Sequence, residues 1–390
     1  MPVPSSLPEP LNLTVARYVR PFKAIPGSFQ PGRIALGVLL VAALMCLGGL
    51  WDGVMGHGRL GVESGVAGAG EVPRGTFAIS AEVVVQCVDR IASGVVGLRP
   101  VEVMDALATL WVRLPLALWR FDPAFLIGFG LISVAVASIF CGALARMSII
   151  EAATGSRLPA SEGLTFAVRA WPRLAGSVLL PMLLVAFVAL LLLVPALLLR
   201  VPVLNIIAAL FHGLSLLLSL LAVFVAGTTL LVLPLLAPAV AAERDDAIEA
   251  VQRCVSYLLV RPLHLALLAA GSIVAISLGY LVVSALASGT VLFAGASLDA
   301  WAPLMDRPLD ARLGLFHWPS ATGGVDQGAV DLGSTAALAR RIVGWWELLL
   351  LAIVAGWMVS AIMSCAAQSY LAVRESADGQ DPEEVWGLGQ

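Results

Sequence analysis

Long uncharged runs dominate the pattern of hydrophobic and polar positions along the chain. The hydrocarbon core of a bilayer is about 30 Å thick, so a helix that crosses it needs about 20 apolar residues. Six runs meet this length, and they are residues 34–51, 123–145, 176–199, about 214–240, 262–287 and 342–373. The pattern therefore predicts an all-α fold, a polytopic transmembrane helix bundle whose six spans we call TM1 to TM6.

The fourth run is longer than one span requires, because no charge interrupts it between residues 201 and 242. Its first third contains Pro202, Asn205 and His212, which favour a turn over a continuous apolar helix. We therefore expect an outer turn there and the span itself at about 214–240. A re-entrant segment within this run is the alternative.

Composition narrows the class of protein further. The chain has 390 residues, of which 59% are hydrophobic and 13% charged, whereas soluble proteins are about 45–50% apolar and about 25% charged. An ordinary soluble enzyme and a disordered chain are thereby excluded. The net charge of −3 offers no basic surface to a phosphate backbone, so the expected partner is the lipid bilayer and not nucleic acid.

The distribution of arginines in the short loops predicts the orientation of the spans. The loop after TM2 contains four arginines and the loop after TM4 three, whereas the hairpin between TM3 and TM4 contains only Arg200. We expect the arginine-rich loops and both termini in the cytoplasm, in a bacterial inner membrane. TM1 follows the polar N-terminal segment 1–33, which should carry an amphipathic helix, and lacks a small-residue cleavage site, so it should remain as an anchor.

Two long segments are expected on the outer side of the membrane. Residues 52–122 begin with the glycine-rich stretch Gly56–Gly75, which predicts a flexible linker, and continue as helical patterns at 78–96 and 101–119. Residues 288–341 show little periodicity and should form an irregular cap. Four tryptophans lie where the spans meet the outer boundary, as in an aromatic belt, namely Trp51, Trp119, Trp345 and Trp346.

The two cytoplasmic loops resemble each other in sequence. Residues 161–169 and 245–253 share one order of residue types: a cap, an acid, an aliphatic residue, a small apolar residue and a final arginine, which is Arg169 or Arg253. A fainter third copy lies at Leu11–Phe22. We interpret the pattern as three like-oriented units, each consisting of an amphipathic helix followed by a two-span hairpin.

Both loops have helical periodicity, and amphipathic helices are expected at 161–175 and 245–260. Ser161 and Asp245 are suitable N-caps for these helices. The apolar residues that fall on one face are Leu164, Ala167, Trp171 and Leu174 in the first helix and Ile248, Val251, Val255 and Leu258 in the second. Such helices would lie along the cytoplasmic face of the membrane.

A distinctive stretch begins at the end of TM4 and extends through the second copy; it consists of Pro238–Glu243, Ala247, Ala250, Arg253 and the pair Arg261-Pro262. It resembles a signature of bacterial six-span membrane proteins of uncharacterised function, which are similar to the membrane domain attached to some glycerophosphodiester phosphodiesterases. The tail from Tyr370 to Trp386 resembles the end of such proteins. The resemblance covers about the C-terminal third of the chain. It implies the six-span fold and no activity, because it includes no phosphodiesterase domain.

Small residues form stripes at a spacing of four along two spans. The stripe in TM6 consists of Ala352, Gly356, Ser360 and Ser364, and the stripe in TM5 of Gly271, Ala275 and Gly279. Small side chains let helix backbones approach closely, which is a main source of helix association in lipid. We expect TM5 and TM6 to contact each other through these stripes, and contact with a partner protein is the alternative.

One carboxylate, Glu347, interrupts the apolar sequence of TM6. Ionisable residues inside a span are candidates for function because an unpaired charge there is costly. Glu347 is interpreted as an interfacial anchor, and a carboxylate that couples transport to protons or cations is the alternative. The four histidines lack the spacing of a metal site and no catalytic motif occurs, so no cofactor, metal or catalytic residue is expected.

The segment 374–390 is an acidic cytoplasmic tail. It is expected either to be solvated or to fold back on Arg169, Arg173 and Arg253, with Trp386 as an apolar anchor. For the whole chain we expect a non-enzymatic multi-pass membrane protein, a structural or accessory subunit that binds other membrane protein subunits. A transporter or channel for small molecules or lipids is the alternative, favoured by the prolines of TM3 and TM4 and by Glu347.

Overall fold

The structure, a computed structural model, describes residues 20–55, 75–198, 200, 204–210, 212–243, 246–301 and 333–380. Within these ranges all regular structure is helical, which confirms the predicted all-α class. Several predicted features lie outside the described residues. They are the glycine-rich linker, most of the third repeat copy, His57, His317, Asp245 and the end of the tail with Trp386.

The helices follow one another along the chain with few long interruptions. In chain order they are α1 (Arg20–Ser28), α2 (Pro31–Met55), α3 (Thr76–Val96), α4 (Pro100–Ala108), the π-helical turn π1 (Thr109–Arg113), α5 (Leu114–Phe121), the π-helical turn π2 (Phe125–Phe129), α6 (Gly130–Thr154), α7 (Ala160–Leu198), α8 (Leu204–Leu210), α9 (His212–Ala242), α10 (Ala247–Val260), α11 (Pro262–Trp301) and α12 (Gly333–Asp378).

Six helical segments among the described residues are long and apolar enough to cross a membrane, which confirms the predicted number of spans. They are Pro31–Met55, Phe125–Thr154, Ala160–Pro195, His212–Ala242, Pro262–Ala294 and Gly344–Asp378. The chain is thus a multi-pass membrane protein. The short helix α8 occupies part of the expected outer turn before α9.

The irregular cap predicted at 288–341 is wrong at both ends. Helix α11 continues to Trp301, and helix α12 already begins at Gly333. Apolar runs indicate how much of a helix can lie in hydrocarbon, and they do not show where the helix ends. The helix continues beyond residue 287 because an α-helix forms its backbone hydrogen bonds internally, in water as well as in lipid. The alanine and leucine residues in this stretch also favour helix.

The two copies of the repeat differ in structure. The predicted helix 161–175 is not a separate element, because α7 continues through Pro172 and Pro181 to Leu198 as one helix. By contrast α10 ends at Val260, and Pro262 starts a new helix, where its missing N–H costs nothing. The cap of α10 is Asp246, which forms a capping box with Glu249.

The apolar face of each copy is only partly buried in the structure. In α10 the buried residues are Ala250, Cys254 and Tyr257, whereas Ile248 is more than half exposed. In α7 Ala167, Ala170 and Leu174 are buried, while Trp171 is exposed. The exposed apolar residues belong to helices beside a membrane, where lipid can cover an apolar side chain and the apolar face need not be the buried face.

Contacts divide the chain into two compact units. Unit one consists of residues 1–27, 137–272 and 362–390, and unit two of residues 28–136 and 273–361. In unit one, α7 and α9 form a hairpin, and α10 packs against both helices. A Cβ atom on Gly176 would lie 3.0 Å from the Cβ atom of Ala247, so glycine permits this close approach of α7 and α10.

In unit two, α2 crosses α12 at a pair of glycines. A Cβ atom on Gly37 would overlap the carbonyl group of Gly356, so neither position has room for a side chain. Near the end of α2 an aromatic cluster joins three helical segments: the ring centroids of Trp51 and Phe125 are 6.0 Å apart, and those of Phe77 and Phe129 5.3 Å. Helix α3 packs against α4 and the following turn.

Candidate functional site: a buried charged cluster

The largest group of charged side chains in unit one surrounds Arg374. Only 3% of its side chain is exposed, and its Nε atom lies 2.7 Å from Oε1 of Glu243 and 2.7 Å from Oε1 of Gln380, to which it donates a hydrogen bond. Glu243 directly follows α9, and Arg374 lies in the last turns of α12. The ion pair therefore joins the ends of two spans that are distant in sequence.

A second arginine contacts the same carboxylate. The Nη1 atom of Arg253 on α10 lies 3.3 Å from Oε1 of Glu243. One carboxylate thus bridges two guanidinium groups, one from α10 and one from α12. Such an arrangement offsets the cost of removing Arg374 from water, because a buried charge must be paired.

The end of α12 also contacts α10 through a hydrogen bond between Tyr257 and Asp378. Burial, together with the hydrogen bond to Asp378 and the negative charge of this residue, raises the pKa of Tyr257 above its ordinary value. The phenol therefore stays protonated and acts as the donor. Beside it lies Tyr370, with ring centroids 6.1 Å apart. The Tyr370 hydroxyl is buried and has no hydrogen-bond partner among the described residues.

In unit one, an ion pair and a thiol hydrogen bond connect α1 with α12. Arg20 forms an ion pair with Glu375 at 2.5 Å, and the thiol of Cys365 donates to the carbonyl oxygen of Pro21 at 3.5 Å. We define the charged cluster as Arg20, Glu243, Arg253, Arg374, Glu375 and Asp378. These three bases and three acids balance each other and connect α1, the end of α9, α10 and α12.

A separate arginine in unit one is paired with backbone and an aromatic ring. Arg146 on α6 donates to the carbonyl oxygen of Ala241 at 2.7 Å, and its guanidinium lies 5.2 Å from the ring centroid of Phe166. The carbonyl belongs to the last turn of α9, where helical acceptors are free. A cation–π contact and a charge-assisted hydrogen bond together hold this nearly buried side chain.

The two repeat arginines have different environments. Arg253 belongs to the charged cluster, whereas Arg169 is exposed on α7. Arg173 forms an ion pair with Asp246 at 3.5 Å. The described part of the tail contacts Arg20 through Glu375, Tyr257 through Asp378 and Arg374 through Gln380.

Three residues of the TM6 stripe lie at contacts with other helices. Gly356 meets Gly37 of α2, Ser360 donates to the carbonyl oxygen of Ser28 at 3.0 Å, and Ser364 lies 3.3 Å from the hydroxyl oxygen of Ser148 on α6. Ala352 is partly exposed in α12. The contact between α11 and α12 in unit one instead involves Ser272 and Ser369, whose hydroxyl oxygens are 3.3 Å apart.

Of the TM5 stripe, Ala275 is buried, while Gly271 and Gly279 are partly buried. Glu347 lies within α12, but its side chain is outside what the structure describes. Unit two contains another buried polar pair, in which Tyr280 on α11 donates to Asp89 on α3 at 2.7 Å. Burial raises the pKa of Asp89, and the hydrogen bond from Tyr280 offsets part of this effect.

In the described part of the chain, no group of three or more histidine, cysteine, aspartate or glutamate residues could hold a metal ion. The geometry of the charged cluster provides a set of ion pairs between helices.

Sequence reasoning missed Glu243, Arg374 and Tyr257 as members of one site. Each looks like an ordinary residue at the end of an apolar run or on a short helix. The sequence pattern marked Glu243 as the end of the stretch Pro238–Glu243 but contained no indication of which residues pair with it. No protein-family model, curated protein or solved structure matches the chain.

Proposed function

We propose that this protein is a non-enzymatic subunit of a larger membrane assembly, with a structural or accessory role, in a bacterial inner membrane with both termini in the cytoplasm. The observation that carries the proposal is a surface of unit one that we call the hairpin arm, residues 182–197 of α7 and 214–224 of α9. Its apolar side chains project on nearly all sides of the two helices, and they include Leu183, Phe187, Leu190, Leu193, Leu217, Leu220 and Val223.

The hairpin arm contrasts with the base of the same hairpin. Near the base, Leu174, Leu235 and Leu236 are buried against neighbouring elements of unit one, whereas in the arm Val188 is the residue of α7 that is most deeply buried. Apolar surface of this extent in a membrane protein must be covered by lipid or by another spanning helix. Small differences in van der Waals packing decide whether lipid or a protein helix covers the surface. A rigidly held hairpin offers a spanning helix of another protein a preformed surface.

The charged cluster supports the proposal by fixing the base of the hairpin. Glu243 at the end of α9 is held by Arg253 and Arg374. A surface that does not move on binding loses less conformational entropy when a partner packs against it. A rigid base with an uncovered apolar arm is the arrangement expected of a subunit that docks a neighbour in the membrane.

In-cell photo-crosslinking tests this proposal. A photoreactive amino acid replaces Leu190 or Leu217, which are more than 60% exposed, and in the matched control it replaces Val188, which is 3% exposed. We expect one membrane protein, at a reproducible mass, to be crosslinked from the exposed positions and not from Val188.

Two results would contradict the proposal. In one, the probes at Leu190 and Leu217 form adducts with lipid alone. In the other, the purified chain in proteoliposomes carries a solute flux that Glu347→Gln abolishes, which would identify a transporter. Empty vesicles and vesicles with the Arg169→Gln variant, whose side chain is exposed, serve as controls for the flux.

A further inference from the structure

Helices α4 and α5 of unit two, with the turn π1 between them, have two apolar faces. One face packs against α3: Ala106, Leu110 and Leu114 join Val83 and Cys87 in one cluster. The other face is uncovered, and we call it the outer stripe. It consists of Val101, Met104, Val112, Leu116 and Trp119, each 55–78% exposed.

The spacing of the outer stripe along the sequence places it on one side of the helix. Successive residues of an α-helix are rotated by about 100°. The steps of three, eight, four and three residues from Val101 through Met104, Val112 and Leu116 to Trp119 therefore return to one face. The π-helical turn π1 lies within this segment.

Polar residues lie along one edge of the outer stripe and pair with each other. Arg113 forms an ion pair with Asp105 at 2.7 Å, and Arg99 forms one with Glu102 at 3.1 Å. Each of these ion pairs joins one acid and one base, so the four side chains together carry no net charge. Arg120 of the same segment is exposed and places its guanidinium 5.6 Å from the ring centroid of Phe121.

The segment formed by α3, α4 and α5 lies between TM1 and TM2 in the chain. Its first and last residues are next to these two spans. The carboxylate of Asp52, at the end of TM1, accepts hydrogen bonds from the backbone N–H groups of Phe77 and Ala78 at 2.9 and 3.1 Å. The carboxylate of Asp122, just before TM2, accepts from the Thr76 hydroxyl at 2.9 Å and from the N–H group of Phe125 at 3.0 Å. Both ends of the hairpin formed by α3, α4 and α5 are thus tied to the boundary of the bilayer.

We propose that the outer stripe lies in the boundary between lipid headgroups and acyl chains, with phospholipid as its occupant. An amphipathic helix with its apolar face toward lipid binds in this region. Trp111 and Trp119 are both exposed on this segment, and the indole ring prefers the same depth. Leu98, 86% exposed at the tip before α4, continues the apolar surface.

Site-specific fluorescence tests the placement in the full chain. A single cysteine is introduced as Met104→Cys or Leu116→Cys, with the native cysteines replaced by alanine, and labelled with an environment-sensitive dye. The protein is reconstituted alone in phosphatidylcholine vesicles that contain lipid with a nitroxide near the headgroup. Gln86→Cys, on the exposed side of α3, and Glu102→Cys, on the polar edge, are the matched controls.

We expect dyes at positions 104 and 116 to report an apolar environment and to be quenched several-fold more strongly than dyes at 86 and 102. Equal, water-like signals at all four positions would overturn the proposal. Shielded dyes that the nitroxide lipid does not quench would also overturn it, since a second copy of the chain would then cover the stripe. Variants are compared only if their gel-filtration profile matches that of the parent chain.

Trp119→Phe provides a second measurement that needs no cysteine. Quenching of the native tryptophan fluorescence by brominated phosphatidylcholine should decrease in this variant. Unchanged quenching would count against the placement. Neither measurement involves the hairpin arm, so this inference and the proposed function can fail independently.

Discussion

At the scale of single residues, one costly feature of the protein is the removal of the Arg374 guanidinium from water. The side chain of Arg374 is almost fully buried and is paired with Glu243, which also contacts Arg253. Removing one partner of a buried ion pair costs about 3–5 kcal/mol, because the other charge stays buried without its partner. The charged cluster is therefore a place where one substitution should have a large effect.

Arg374→Gln should lower the free energy of unfolding of the protein in detergent by about 3–5 kcal/mol. Tryptophan fluorescence on heating measures this change. The exposed Arg169→Gln variant should change the free energy of unfolding by less than about 0.5 kcal/mol. Combining Arg374→Gln with Glu243→Gln should cost less than the sum of the single changes, because the pair is then removed together. Additive effects would show that the two side chains do not interact.

The partly buried carboxylate of Asp89 should make stability depend on pH. Its pKa is raised in the folded protein, so the folded state binds a proton more tightly than the unfolded state between the ordinary aspartate value and the raised value. Stability should therefore fall as the pH rises through this window. Asp89→Asn keeps an acceptor for Tyr280 and should flatten this part of the profile; an identical slope in both proteins would contradict the assignment.

Sequence patterns could not predict the charged cluster for a physical reason. Hydropathy places Glu243 and Arg374 at the ends of apolar runs, where charges are common because water and headgroups solvate them. Which of these ends come together depends on how the helices pack. The lengths of the runs contain no information about packing, so the partner of each charge becomes visible only in three dimensions.

At the scale of elements, apolar length predicted the existence of the six spans but not their limits. Helices α7, α11 and α12 all extend beyond the apolar runs, because a helix satisfies its own backbone hydrogen bonds in water as well as in lipid. The small-residue stripe of TM6 was predicted to contact TM5. The structure places its glycine against α2, a contact that the sequence could not predict because small residues permit a close approach without specifying which helix approaches.

The contact between Gly37 and Gly356 should not tolerate side chains. Gly356→Leu should destabilise the protein by about 1–3 kcal/mol or more, because overpacking forces the backbones of α2 and α12 apart. Gly227→Ala is the matched control, since a Cβ atom at this glycine of α9 would meet nothing within 4 Å. Thermal unfolding in detergent measures both, and equal stability of the two variants would contradict the close crossing.

At the scale of the whole molecule, the protein has six spans, and only 13% of its residues are charged. The sequence was sufficient for the fold class and the number of spans, because both depend on apolar length. It was insufficient for the function, because packing surfaces carry no residue types that identify a partner. The proposed orientation follows from the arginines in the loops, and the hairpin arm follows from the exposure of side chains on α7 and α9.

Reporter fusions test the proposed orientation. Alkaline phosphatase, which is active only outside the cytoplasm, should be active when fused after Arg200 and inactive when fused after Arg157. A fluorescent protein that folds only in the cytoplasm should give the opposite result at the same two positions. Phosphatase activity at Arg157 would reverse the orientation and contradict the location of the termini.

The central claim is that the chain functions within a larger membrane assembly. Native mass spectrometry of the full chain, extracted with its surrounding lipid from the membrane of its own cells, measures this most directly. We predict a complex whose mass exceeds the 40.6 kDa of the chain by that of a second, reproducible membrane protein. The chain alone, as a monomer or as copies of itself, would contradict the claim.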